Sequence, residues 1–249
     1  MKSKWIGSAA TGTGAVLIVA AILLLISALS GCATTASRAP AIEPEEAIDH
    51  LGQPLEADPA ILYRLRVASS SNLRLALLTS GDAGRITVSE PFGSAVSLTS
   101  WSGVNPPMFF DLREGCQIEI SGLAQVLGVA AMPLPQAARL LAGKLPAAEE
   151  DHIVPLDDGR ILIEGQGWKA RVTVEPDPWR VVSVEEAGNA GKGWRIRLGD
   201  HSLSVPGKVR VKREDGRWAE LDLIRLEWNT GKELPTLPTL PRCVVETDR

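Results

Sequence analysis

Recognisable catalytic and metal-binding patterns are missing from this chain. The three histidines, His50, His152 and His201, occur singly, and none lies in a spacing typical of a metal site. No G-x-S-x-G turn, phosphate-binding glycine loop or C-x-x-C pair is present. Asp157 and Asp158 are adjacent, but neighbouring carboxylates in a turn point apart, which favours a role as turn formers. These absences argue against an enzyme, although catalytic triads also assemble from positions far apart in sequence.

The chain also lacks an excess of basic residues. It has 26 Lys and Arg against 30 Asp and Glu among 249 residues, a formal net charge of −4. A nucleic-acid-binding surface needs a basic excess, and so does electrostatic attraction to anionic lipid. The overall charge therefore predicts no nucleic-acid partner and no recruitment of the chain to a membrane by its net charge.

What the N-terminus does have is the pattern of an export signal. Lys2 and Lys4 precede an uncharged stretch from Trp5 to Cys32, whose apolar centre is shorter than the roughly 20 residues of a spanning helix. The stretch ends in Leu-Ser-Gly-Cys, which matches the bacterial lipobox: small residues let the chain enter a peptidase, and the cysteine thiol is diacylated. We predict a signal peptide at residues 1–31 and a lipid on Cys32. An uncleaved anchor helix with an incidental cysteine is the alternative.

The residues after Cys32 predict where the protein is anchored and how it is tethered. Ala33 occupies the position at which Asp is the best known signal for retention in the inner membrane, so we expect the periplasmic face of the outer membrane. Two or more acyl chains hold a protein stably on a bilayer, whereas one does so only marginally. Residues 32–58 are predicted to be a lipidated tether followed by a short helix at residues 43–51, with acidic residues in its first turn.

Few thiols are left once Cys32 carries lipid. Cys116 and Cys243 are the other cysteines of the chain. An oxidising periplasm favours a disulfide between them. The sequence gives no distance between the two residues, so two free buried thiols are the alternative.

From Ile61 onward most of the chain alternates apolar and polar residues. About a dozen short segments show this alternation, and Gly, Pro, Asp or Asn separates them. Apolar residues alternating with charged and hydroxyl residues indicate an antiparallel sheet with one solvated face. In the last segment the apolar phase shifts from Leu221 and Leu223 to Ile224 and Leu226, which predicts a β-bulge that bends the sheet.

Residues 122–146 break the alternation and show helical spacing. Pro135 lies where a helix would begin and Pro146 where one would end. Two short helices are predicted, with apolar faces formed by Leu123, Val126 and Leu127 in the first and by Ala137, Leu140 and Leu141 in the second. The predicted fold class is therefore mainly β: a strongly curved antiparallel sheet whose concave side is covered by a short helical insert.

The chain resembles LolB, the outer-membrane receptor for lipoproteins. The resemblance rests on a strand ending in Pro91-Phe92-Gly93 and on the helical segment from Met132-Pro133-Leu134-Pro135 to Leu145-Pro146. The later order also fits, with a Gly-Trp step at Gly193-Trp194, a Pro-Gly before a basic strand at Pro206-Gly207, and a closing strand from Trp218 to Trp228. It covers residues 61–229, which places the domain at residues 59–230 and leaves residues 231–249 as a Pro-rich tail outside the family pattern.

This resemblance implies an incomplete (half) antiparallel β-barrel of about eleven strands, with a helical lid over a hydrophobic cavity for acyl chains. It implies a monomer that uses no nucleotide, metal or other cofactor. Its partners would be the acyl chains of other lipoproteins and a soluble periplasmic LolA-like carrier that hands them over. Phe92, flanked by Pro91 and Gly93, matches the protruding apolar residue of the family's delivery hairpin. The lid and cavity residues would be Leu123, Val126, Leu127, Leu140 and Leu141.

Other interpretations of the same residues are open from the sequence alone. Leu140 and Leu141 can cap a closed core, and Phe92 can fold back into the packing of its own hairpin. A chain with a filled core would then be a lipid-tethered scaffold of an envelope assembly, with the same fold and no lipid transfer.

Overall fold

A computed structural model describes residues 44–53, 57–67, 70–103, 105–120, 132–188, 193–201, 204–228 and 234–243. The predicted signal peptide, Cys32 and the tether up to residue 43 lie outside these residues, and so do Leu123, Val126 and Leu127. The residues from Ile42 onward belong to one compact unit.

A single antiparallel sheet of thirteen strands forms the body of this unit. The strands are β1 (Pro59–Val67), β2 (Ser70–Ser80), β3 (Ala83–Ser89), β4 (Ala95–Trp101), β5 (Met108–Asp111), β6 (Cys116–Glu119), β7 (His152–Pro155), β8 (Ile161–Gly165), β9 (Trp168–Glu175), β10 (Arg180–Glu186), β11 (Trp194–Gly199), β12 (Lys208–Arg213) and β13 (Trp218–Trp228). Each alternating segment of the sequence is one of these strands. The fold class is confirmed as mainly β with an open curved sheet, and the family's count of about eleven strands is low by two.

The order of the strands shows how the sheet is built from hairpins. It runs β6-β5-β4-β3-β2-β1-β13-β12-β11-β10-β9-β8-β7, so β1 pairs with β13 and every other neighbour is also a neighbour in sequence. Short turns join most of these pairs, as the Gly- and Asp-containing segments predicted. The pairing of β1 with β13 contains the predicted bulge, because Leu62 pairs with Arg225 and Tyr63 with Leu223, which leaves Ile224 as the extra residue.

In the described part of the chain, two short helices accompany the sheet. They are α1 (Pro44–Leu51) and α2 (Leu134–Leu141). Pro135 stands in the first turn of α2, where its missing N–H costs nothing because that group would have no partner within the helix. Helices α1 and α2 begin within one residue of the predicted starts. Helix α2 ends at Leu141, earlier than the predicted end at Pro146, because the chain turns at Gly143, whose φ is +81°. The first helix predicted within residues 122–146 falls outside the described residues.

The core fills the inner face of the sheet. In the central strands alternate residues are buried, such as Ile61, Tyr63 and Leu65 of β1, and their neighbours in the strand face outward. The buried side of α2 packs into the same apolar cluster. The three tryptophans Trp101, Trp168 and Trp194 also belong to it.

The register defines two ends of the sheet. The β3–β4 hairpin lies at one end, which we call the tip end, and the turn between β12 and β13 lies at the same end. The loop between β11 and β12, the turn between β9 and β10, and the first residue of β1 lie at the opposite end. Helix α1 is at this opposite end, because His50 stacks on Trp179 of the β9–β10 turn with ring centroids 6.5 Å apart.

Candidate functional site

The β3–β4 hairpin presents a large apolar side chain to solvent. Phe92 is 98% exposed, and its neighbours Pro91 and Gly93 are exposed too. Two backbone bonds close the turn: Gly93 N–H donates to Glu90 O at 3.0 Å, and Glu90 N–H donates to Ser94 O at 2.9 Å. Gly93 has φ of +96°, a value that disfavours any residue with a Cβ. The turn geometry therefore holds Phe92 outward, away from the packing of its own hairpin.

An ion pair fixes the base of this hairpin. Arg113, in the turn after β5, donates from Nη2 to Glu90 Oε1 at 2.8 Å. Both side chains are about half exposed, so the pair contributes at most about 1 kcal/mol. Its role is to hold the hairpin against the neighbouring β5–β6 turn.

Leu140 and Leu141 lie inside the molecule. Their exposed fractions are 2% and 6%, and both belong to the apolar cluster on the inner face of the sheet. Leu134 at the start of α2 and Leu145 just beyond its end are fully buried. Helix α2 is therefore a cover closed onto the sheet, only eight residues long.

Polar contacts of α2 are concentrated at its C-terminal end. The buried Tyr63 hydroxyl lies 3.1 Å from Pro206 O and 3.4 Å from Leu141 O, and burial raises the pKa of this phenol. Arg139 donates to Leu145 O at 3.2 Å and to Gly52 O at 3.0 Å, and burial lowers the pKa of its guanidinium. These carbonyl contacts join the end of the helix to β1, to α1 and to the β11–β12 loop.

A glycine permits the close approach at the same place. Gly143 follows α2 with φ of +81°, and a Cβ there would lie 2.1 Å from Ser204 O. A larger residue would force the helix end away from the β11–β12 loop.

Cys116 and Cys243 are joined by a disulfide, with their Cα atoms 4.9 Å apart. The residues next to them also pair: Gln117 N–H donates to Pro241 O at 2.8 Å, and Cys243 N–H donates to Gln117 O at 2.9 Å. The Pro-rich tail is therefore attached to the outer edge of β6. Further back in the tail, Pro235 O accepts a hydrogen bond from Arg85 of β3.

The described residues form clefts outside the inner face, two of which are large. One, of about 1180 Å³, is at the end opposite the tip and is lined by His50, Trp179, His201 and Trp228 among others. Burial and the nearby Arg180 lower the pKa of His201. The other, of about 840 Å³, lies on the outer face across β10, β11 and β12 and is rich in cationic side chains.

The sequence prediction did not identify that cationic group as a site. The signal was present, because β11 reads Trp-Arg-Ile-Arg-Leu-Gly and β12 reads Lys-Val-Arg-Val-Lys-Arg, with cations at every second position. No metal site accompanies it: among the described residues, no cluster of three or more His, Cys, Asp or Glu could hold an ion.

Comparison with solved structures finds similar folds. The chain is similar to the crystal structure of a candidate outer membrane lipoprotein-sorting protein domain from Vibrio parahaemolyticus, with 14% identity and a TM-score of 0.48. The similarity covers 78% of this chain and 94% of that one. No protein-family model matches the chain, and no curated protein matches it. In the part of the chain that the structure describes, no helix is long and apolar enough to cross a membrane.

Proposed function

We propose that this protein is a lipid-anchored receptor that accepts the acyl chains of other lipoproteins and inserts them into the outer membrane. The observation that carries the proposal is the exposure of Phe92, 98% of which faces solvent at the tip of a closed hairpin. Hairpin tips are normally polar. Burying a Phe side chain gains about 1.5 to 3 kcal/mol, and this hairpin gives up that gain in water but recovers it in a bilayer.

The cargo would lie between the sheet and its helical cover. Acyl chains gain about 0.8 kcal/mol for each CH₂ that leaves water, so a carrier must offer them an apolar face. The inner face of the sheet is apolar along all its central strands, and α2 closes it with eight residues. Entry of a chain requires α2 to shift, and the contacts of its C-terminal end, near Tyr63 and Gly143, provide a hinge.

The direction of transfer follows from affinity alone. The donor would be a soluble periplasmic LolA-like carrier, and the final acceptor is the bilayer to which Cys32 anchors the receptor. Each step moves the acyl chains to a site of higher affinity, so no nucleotide, metal or covalent chemistry enters.

The test is delivery of a labelled lipoprotein from its carrier to liposomes that contain the full-length lipidated receptor. Phe92→Glu adds a charge that hydrocarbon disfavours, while a solvated tip tolerates it in the folded protein. We expect at least a tenfold slower delivery, corresponding to about 1.4 kcal/mol or more, at an unchanged melting temperature.

Two variants serve as matched controls. Phe92→Leu keeps the tip apolar and should deliver within about threefold of the wild type, a difference under 1 kcal/mol. Ile224→Glu places the same charge at another exposed apolar residue, 47% exposed and away from the tip, and should deliver normally. Normal delivery by a stable Phe92→Glu protein would contradict the proposal and favour the scaffold alternative.

A further inference from the structure

Four cationic side chains form a ladder on the outer face of β11 and β12. Arg195 lies directly opposite Lys212, and Arg197 lies directly opposite Arg210. All four are exposed, whereas the alternate residues Ile196 and Val211 point into the core. We call these four residues the basic ladder. Like charges directly opposite each other in a sheet are destabilising, so folding alone does not favour this arrangement.

Acidic neighbours neutralise only part of the ladder. Arg195 donates to Glu185 at 2.8 Å, and Arg210 Nε lies 3.5 Å from Glu220. Among the described residues, neither Arg197 nor Lys212 has an acidic partner within ion-pair distance. Two cations thus stand in solvent beside two others of the same sign.

The cleft around the ladder is cationic as a whole. Six Arg or Lys side chains line it against three Glu, in a protein whose net charge is −4. The negative charge lies elsewhere, so the net charge of the chain does not describe this surface. An anion with several phosphates or carboxylates would find a complementary field here.

The position of the basic ladder indicates which kind of anion it binds. Lys212 lies directly opposite Trp218, whose side chain is 40% exposed, and the turn that joins them is at the tip end of the sheet. Phe92 protrudes from that same end. Exposed Trp beside cations, next to an apolar tip, is the composition of surfaces that sit at a membrane interface.

We infer that the basic ladder and Trp218 dock on anionic phospholipid headgroups, so that the tip end faces the bilayer when Phe92 enters it. This inference rests on the proposed function, because Phe92 defines the end that meets the membrane. The ladder would supply the charge attraction and the orientation, and Phe92 the insertion. A cation near an anionic surface contributes roughly a fivefold gain in binding.

The experiment measures contact of Trp218 with the bilayer in the full-length lipidated protein. The protein is reconstituted in vesicles of phosphatidylcholine, with or without phosphatidylglycerol, that contain brominated phosphatidylcholine as a quencher. We expect quenching of tryptophan emission in the anionic vesicles that disappears in Trp218→Phe and persists in Trp228→Phe, at the opposite end. About 1 M sodium chloride, which shortens the screening length to about 3 Å, should abolish it.

The charge variants keep the fold intact. Arg197→Gln with Lys212→Gln removes two exposed, unpaired cations and relieves repulsion, so the melting temperature should not fall. We expect the docking equilibrium to drop roughly twenty-five-fold, fivefold for each cation. Arg180→Gln with Arg225→Gln removes the same charge from the opposite end and should dock like the wild type.

Any of three quenching results would overturn the inference: equal quenching in neutral vesicles, quenching unchanged in the ladder variant, or no quenching of Trp218. Slower delivery by the ladder variant into neutral and anionic vesicles alike would also overturn it, and would indicate that the ladder contacts the protein carrier. Failure of the proposed function looks different. If Phe92→Glu delivers the lipoprotein normally while anion-dependent quenching of Trp218 persists, the proposed delivery function is contradicted. The proposed docking surface is not.

Discussion

The Tyr63 hydroxyl lies in the apolar core, where a polar group is tolerated only with a partner. It is fully buried, and its partners are the carbonyl oxygens of Pro206 and Leu141. Desolvation raises the pKa of this group, because burial penalises the phenolate. A raised folded-state pKa stabilises the fold at pH values below the unfolded pKa of about 10, and this contribution is lost as the pH rises above that value.

We therefore expect two effects of Tyr63→Phe. At neutral pH the free energy of unfolding falls by about 0.5 to 1.5 kcal/mol, because one buried hydrogen bond is lost. Above pH about 10 the wild type loses stability more steeply than the variant. Urea unfolding at both pH values measures this. Tyr63 is the chain's single tyrosine, and the lysines titrate in both proteins, so parallel pH curves would show that the phenol is not the group responsible.

The sequence predicts the local structure and surroundings of some residues better than those of others. Pro91 and Gly93 are local features, and they predict the turn at Phe92. The exposed fraction of the Phe92 side chain depends instead on what packs against the hairpin. The basic ladder was missed because the partner of Arg195 depends on the register of β11 with β12. That register crosses an eight-residue loop whose geometry the sequence does not determine.

Among the elements, the C-terminal tail is tied to the sheet at two distant strands. Pro235 O accepts a hydrogen bond from Arg85 of β3, and residues 241–243 pair with the edge of β6, three strands away. The tail therefore crosses the outer face of β4 and β5. Arg85 and Phe110 point to that face and are only 4% and 2% exposed. The tail thus buries residues on a face that is otherwise solvated, and it covers a free strand edge.

Loss of the disulfide should loosen the whole tail. It closes a loop across a sequence separation of 127 residues, for which the chain-entropy model predicts about 4 to 5 kcal/mol. Cys243→Ser should lower the free energy of unfolding by up to that amount and speed hydrogen exchange of the Gln117 amide, which donates to Pro241 O.

A double-mutant cycle provides the control. Cys116→Ser should cost about as much as Cys243→Ser, and the double variant about as much as either, because all three remove the same bond. Additive costs would mean that the two cysteines act through separate packing.

The elements were predictable where the apolar period was regular. All strands, the bulge at Ile224 and the starts of α1 and α2 follow from periodicity, from proline and from the acidic residues at the start of α1. The tail was not predictable in the same way. Its prolines at residues 235, 238 and 241 repeat every third residue, a period that fits neither a helix nor a paired strand. Its position is determined by a covalent bond and by Arg85.

At the scale of the whole molecule, the chain enters the sheet far from the end that we propose meets the membrane. Helix α1 lies at the end opposite Phe92, with Leu51 O accepting from Leu145 N–H and His50 stacked on Trp179. The nine residues of β1 alone rise about 26 Å between these ends. A lipid on Cys32 and Phe92 can be in one bilayer only if the intervening chain spans that length.

If Cys32 carries the predicted lipid, the predicted tether is just long enough to span this distance. Twelve Cα steps join Cys32 to Pro44 and reach at most about 40 Å when extended. Deleting residues 35–40 leaves six steps, about 20 Å, which is shorter than the rise of β1.

We expect the deletion to leave the lipid, the fold and the melting temperature unchanged. The tip end should then lose contact with the bilayer of its own anchor, so that quenching of Trp218 disappears and delivery slows at least tenfold, about 1.4 kcal/mol. Replacement of the same six residues by glycine and serine keeps the length and should restore both. Normal delivery by the shortened protein would show that the anchor and the tip need not share a bilayer, since only the distance between them has changed.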